Sequence, residues 1–244
     1  MNRQLCRHAL LLVAASLLLP CAVGRAQPRP SITPVRWELT FQPFDLQQIS
    51  VATRGGTRNF WYLPYRVVNN SGDDVDFLPL IERVGEIDSE LPPDAAVRRP
   101  DVAARMIVQP AIIGGDPAIF RAIKQRLSRT HPLLLSPIEV IGRIRQGLDN
   151  ARESVAIFEE LDPRVNRFTL YVGGLSGERQ ILPNPLFRAR SAPPAGSDGA
   201  AETPAQAQVF VVQKTLALPY TLPGDVNTRR YAVPALGRLD WVMR

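Results

Sequence analysis

Beyond the first 26 residues the chain carries a single histidine, His131, so acid–base or metal chemistry is sought there first. Zinc sites gather several imidazoles or thiolates, and one ring cannot make one. A Ser–His–Asp arrangement would need His131 beside a serine on a sharp turn, and "GLSGE" at 174–178 offers that shape only in outline. His131 precedes Pro132 at the end of a predicted helix, where a positive ring complements the helix dipole, and this capping role is the expected one. Glu159, Glu160 and Asp162 are adjacent at a strand end, whereas glycoside hydrolysis needs two acids held across a cleft. Asp73, Asp74 and Asp76 put oxygens in one turn, without the Asp-x-Asp-x-Asp-Gly loop and distant glutamate of a calcium hand. Acids are ordinary turn residues. No catalytic residue, cofactor site or metal ligand is assigned on these grounds.

Two other clusters suit binding. In "NFWYLPYRVV", at 59–68, a strand would turn Trp61, Leu63, Tyr65 and Val67 to one side as a continuous apolar face over a core. Phe60 and Tyr62 then lie on the opposite side, partly exposed, and are the candidates for stacking on a ligand such as a glycan. Arg121, Lys124 and Arg129 fall on the polar side of the predicted helix and are the candidates for docking an acidic partner.

The elements that must position these residues begin after a targeting segment. Arg3 and Arg7 precede an apolar run from Ala9 to Leu19, followed by small residues, which reads as a secretory signal cleaved after Ala26. A lipoprotein anchored through Cys21 is the minor alternative, since Pro20 stands where a small residue is wanted. Removing 1–26 takes away three arginines and both cysteines, leaving 29 − 3 = 26 basic against 23 acidic residues, a net charge of +3. The mature chain therefore has no disulfide or thiolate chemistry, and no apolar run long enough to span a membrane. So modest a charge, with export, argues against a nucleic-acid partner.

Short β-branched or aromatic runs bounded by turn residues recur at 36–42, 48–53, 60–68, 75–79, 154–161, 167–175, 209–220 and 239–243. They predict a mainly β, antiparallel sandwich of one domain over 27–244. The turn at 69–74 predicts a hairpin joining 60–68 to 75–79, and Pro64 places the first of these at an edge or bulge. One helical insertion is predicted near 116–130: Asp116 caps, Pro117 takes the first position, and Ile119, Ile123 and Leu127 line one face. Ser136 and Glu139 outline a capping box, yet Val140, Gly142 and Ile144 suit a strand; 136–147 is read as strand. The small, proline-rich stretch at 188–208 is read as a disordered loop.

Three phrases, "FWYLPYRVVNNSGDDVDFLP", "SVAIFEELDPRVNRFTLYVGGLSGE" and "KTLALPYTLPGD" with the terminal "WVMR", together resemble a family of secreted proteins from planctomycete-type bacteria with immunoglobulin-like character. The resemblance runs from Trp37 to Arg244. It implies an immunoglobulin-like β-sandwich, with a strand pair around Asp162 and Pro163 and a turn at Pro223, Gly224 and Asp225. It implies no activity. The expectation is an exported, non-enzymatic binding or structural module of the bacterial cell envelope, partnered by an envelope protein or glycan. A carbohydrate-binding module is the alternative, and a secreted hydrolase a more distant one.

Overall fold

The computed structural model describes residues 28–88, 104–184 and 208–244. The signal segment and nearly all of the 188–208 stretch lie outside these residues. Within them the chain is mainly β with antiparallel pairing throughout its named strands, as the alternation predicts.

The long strand β3 (Gly56–Asn69) organises the first sheet. On one side it pairs successively with β2 (Gln47–Thr53) and β1 (Leu39–Pro43), and along Phe60 to Val67 it pairs with β8 (Arg152–Glu159). The second sheet runs β6 (Ala104–Pro110), β5 (Leu80–Asp88), β9 (Val165–Gly173) and β11 (Val209–Thr221). Strand β11 also pairs with β10 (Arg179–Pro183), β12 (Ala235–Leu236) and β13 (Asp240–Met243). Strands β5, β6, β10 and β12 went unread in the sequence. In β5 the inward positions include Arg83 and Gly85, which break the apolar alternation.

Inward side chains of both sheets form one core. Trp61, Leu63, Tyr65 and Val67 of β3 pack in the same cluster as Phe168, Leu170 and Val172 of β9 and Leu216 and Leu218 of β11. Arg83 fastens the layers together. Its guanidinium donates to Gln109 and to the Glu159 carbonyl at 2.7 Å, and lies 5.3 Å from the Phe158 ring. Burial lowers its pKa to about 10, partly opposed by the charge of Glu159.

The other face of the first sheet is buried too. Helix α1 (Pro117–Leu127), capped by Asp116, lays Ile119, Ile123 and Leu127 over Phe60, Tyr62, Val51, Val155 and Ile157. Phe60 is 1 % and Tyr62 0 % exposed, which corrects their assignment to a ligand-stacking face. Period-two patterning cannot tell a face open to solvent from one roofed by a helix.

The predicted hairpin is also corrected. Strand β4 (Val75–Phe77) pairs with β7 (Gly142–Ile144), not with β3, because both edges of β3 are already taken by β1 and β8. The turn is held by Asn69, whose side-chain amide donates to the carbonyls of Asp73 and Ile144, each at 2.8 Å. Pro64 sits in this central strand rather than at an edge. In an antiparallel ladder a residue's N–H and C=O point the same way. The Pro64 carbonyl accepts from the Phe44 N–H at 2.9 Å, in the gap where β1 gives way to β2. The missing donor thus falls where no ladder bond is required.

The reading of 136–147 as strand is corrected: only Gly142–Ile144 (β7) is strand, and Ser136 and Glu139 exchange capping-box bonds across a single turn that no helix follows. The segment around Asp162 and Pro163 carries the chain from β8 in one sheet to β9 in the other, so these strands do not pair with each other. Asp225 closes the predicted turn by accepting from the N–H groups of Asn227 and Thr228, both at 2.9 Å.

Candidate functional site

Where β1 gives way to β2, the chain turns through Phe44, Asp45 and Leu46 and leaves a cleft of ≈ 970 Å³. Its other walls are the C-terminal end of α1, the last residues of β11 and the segment from Arg230 to Leu236. Its volume lies at the upper end of the range for ligand pockets.

The wall is built of locally fixed polar groups. Gln47 is held from beneath by the buried Tyr62, whose hydroxyl donates to Gln47 Oε1 at 2.7 Å. Burial raises the Tyr62 pKa, against the lowering effect of the nearby Arg126 charge, so this donor stays protonated. Gln48 joins two sides of the cleft: its carbonyl accepts from Arg126 Nη1 at 3.3 Å, and its side-chain amide donates to the Arg230 carbonyl at 2.9 Å. Arg126 and Arg230 make no ion pair among the described residues. The Arg230 guanidinium lies 4.7 Å from the Tyr231 ring, which is 75 % exposed.

Tyr220 is the unusual member of the lining. It is 3 % exposed, stacks on Phe168 at 5.3 Å, and its hydroxyl has no hydrogen-bond partner among the described residues. Burial, reinforced by the Asp45 carboxylate, holds its pKa well above the ordinary tyrosine value. A neutral hydroxyl buried without a partner costs about 1–3 kcal/mol, so it marks a place where a partner is wanted.

His131 forms one edge of the cleft. Its backbone N–H donates to the Leu127 carbonyl at 2.7 Å just past the helix end, a main-chain bond and not the ring-to-dipole contact the sequence predicts. The ring does something the sequence did not suggest. Nδ1 lies 3.1 Å from Glu153 Oε2, while Arg66 holds Glu153 Oε1 at 2.6 Å and Phe44 packs 4.5 Å from the imidazole. This cluster pins the loop at 43–46 onto β3 and β8. Ser176 of "GLSGE" is 2 % exposed and accepts from the Glu178 N–H at 3.2 Å, so it presents no nucleophile on an elbow.

The remaining predicted groups are scattered. Arg121 and Lys124 are exposed on α1, while Arg129, predicted on the same helix face, lies in the turn past its end at Leu127; none of the three makes an ion pair among the described residues. Glu159 pairs with Arg58 at 2.9 Å and Asp162 with Arg164 at 2.7 Å. Asp76 lies 3.6 Å from Arg143, and Asp74 accepts from the Gln146 N–H at 3.3 Å. No group of three or more His, Cys, Asp or Glu side chains placed to hold a metal occurs among the described residues. The cleft residues Asp45, Gln47, Gln48, Arg126, Tyr220 and Arg230 were not singled out by sequence. The only trace of them is the Pro-Phe-Asp interruption between two strands and the Arg-Arg-Tyr stretch after the last long one.

Comparison with known protein families, with curated proteins and with solved structures finds no match to this chain.

Proposed function

We propose that the protein is an exported, non-enzymatic binding module of the bacterial cell envelope, an immunoglobulin-like sandwich whose ligand enters the cleft between 43–48 and 230–236. The observation that carries this reading is the Tyr220 hydroxyl, buried in a residue that lines the cleft and without a hydrogen-bond partner among the described residues. Preformed polar side chains around a concavity fit recognition. The apolar core shared by two antiparallel sheets supports the sandwich. Export rests on the charged start and apolar run of the first 26 residues.

A hydrolase needs an activated nucleophile or two opposed acids. In this cleft Asp45 is the one carboxylate of the lining, and the Thr130 hydroxyl is turned onto the Leu127 carbonyl at 3.3 Å. Binding is therefore the better use of the site.

The test is photo-crosslinking in the producing cell from Val233, which is 80 % exposed and lines the cleft, beside Leu133, which is 81 % exposed and does not. Envelope components attached from Val233 and not from Leu133 are the expected result. No adduct at Val233, or the same adducts from both positions, overturns the reading.

A further inference from the structure

Resting on that reading, we infer that the cleft takes an acidic saccharide, its carboxylate on the Arg126 and Arg230 guanidinium groups and a ring hydroxyl on Tyr220 and Asp45. Four features of the wall argue for this class together.

The first is the paired cations. Arg126 and Arg230 both line the cleft: the Arg126 guanidinium donates to the Gln48 carbonyl, Arg230 is held through its main-chain carbonyl with its guanidinium beside Tyr231, and neither has a carboxylate partner among the described residues. Guanidinium groups are the side chains best matched to a carboxylate, through two parallel N–H bonds. The second is Asp45. An acid in the same wall would repel a compact anion such as phosphate, but it accepts well from hydroxyl groups. The ligand is thus anionic at one point and hydroxylated at another.

The third is Tyr220. Its hydroxyl, without a partner among the described residues and in the same lining as Asp45, can donate to or accept from a neutral oxygen, which a sugar ring supplies in several directions. The fourth is the balance of surfaces. Tyr231 offers an exposed ring for the C–H face of a pyranose, and Gln47 and Gln48 add amides held in place by Tyr62 and Arg230. A peptide would instead seek an open strand edge for main-chain bonding. Here Pro43, Pro64 and Pro234 line the cleft, and none of them has an N–H to give.

The experiment is titration of the full chain with oligogalacturonides of three to five residues, and with the same oligomers after reduction of their carboxyl groups, followed by calorimetry. The acidic oligomers are expected to bind, the reduced ones to bind about 10-fold or more weakly, and salt to weaken only the former. Arg126→Gln and Arg230→Gln should each cost about 10-fold, and Tyr220→Phe a similar factor for both oligomers. Denaturation midpoints of the three variants serve as the control for folding.

Equal binding of acidic and reduced oligomers, or acidic binding unchanged in the Arg126→Gln/Arg230→Gln double variant, overturns the acidic class. No binding of either oligomer while Val233 still captures an envelope peptide overturns the saccharide and leaves the binding module standing. No binding with no adduct at Val233 removes both.

Discussion

Lys214 is 1 % exposed, a buried ammonium that ties four segments of the chain together. It donates to the Ser31 carbonyl at 2.8 Å, lies 2.8 Å from Glu38 Oε2 and 3.6 Å from Glu178 Oε2, and sits 5.0 Å from the Trp241 ring. Both carboxylates are ion-paired to the buried ammonium. At an effective dielectric constant of about 20, the two contacts are worth roughly 6 and roughly 5 kcal/mol before the cost of burying the charges. Much of that gain is cancelled by desolvation. Lys214→Met keeps the packing on Trp241 but leaves two carboxylates facing each other, and should cost about 3–5 kcal/mol near pH 7.5.

The pH dependence separates this mechanism from lost packing. In the native protein burial pushes the Glu178 pKa up, but the Ser31 N–H and hydroxyl and the Lys214 charge bring it, on balance, below its ordinary 4.5. A depressed acid contributes stability above its unfolded value and loses it only as pH falls through the lower folded one. Between pH 7.5 and 5 the native protein should therefore lose nothing through Glu178. In Lys214→Met Glu178 loses the cation that helps hold its pKa down, and its protonation on acidification relieves the repulsion between the two acids. Urea denaturation should show the penalty shrinking from pH 7.5 to pH 5, and the triple variant with Glu38→Gln and Glu178→Gln should recover most of it. A penalty under about 1 kcal/mol, or one equal at both pH values, would refute the reasoning.

Ile123→Ala, at a fully buried position of the helix–sheet layer, should cost about 2–5 kcal/mol in a urea denaturation, whereas reversing Arg121, Lys124 and Arg129 to Glu should leave the midpoint nearly unchanged. If the helix docks a partner, that reversal also abolishes its crosslinks from the helix surface. Gly174→Ala should unfold the protein far more readily than Gly72→Ala: both glycines have positive φ, but a Cβ at Gly174 would run into the Leu78 carbonyl oxygen, while Gly72 has open space around it. Both melting temperatures settle the comparison. Adding EDTA should move the melting temperature by less than about 5 °C, and a larger fall would point to a bound ion worth more than about 1 kcal/mol. Mass analysis of the exported protein should find a start near Gln27, and a lipidated Cys21 would contradict cleavage after Ala26.

Local signals carried much of the architecture. Strand runs such as 48–53 and 209–220, the Asp116 and Pro117 helix start and the Asp225 turn all depend on neighbours a few residues apart, and each forms within a residue or so of where the sequence places it. What depended on distant partners was not legible. Alternation marked two faces on β3 but could not show that the α1 stripe would cover Phe60 and Tyr62, since burial of a face is decided by what lands on it. The turn after Asn69 was visible, yet β4 went to β7 because β1 and β8 already held both edges of β3. Asp45, Arg126, Tyr220 and Arg230 are far apart along the chain, and only the packing of two sheets and a helix end gathers them around one cleft. Tyr220 in particular reads as an ordinary strand aromatic until tertiary structure buries its ring on Phe168 and leaves its hydroxyl without a partner among the described residues.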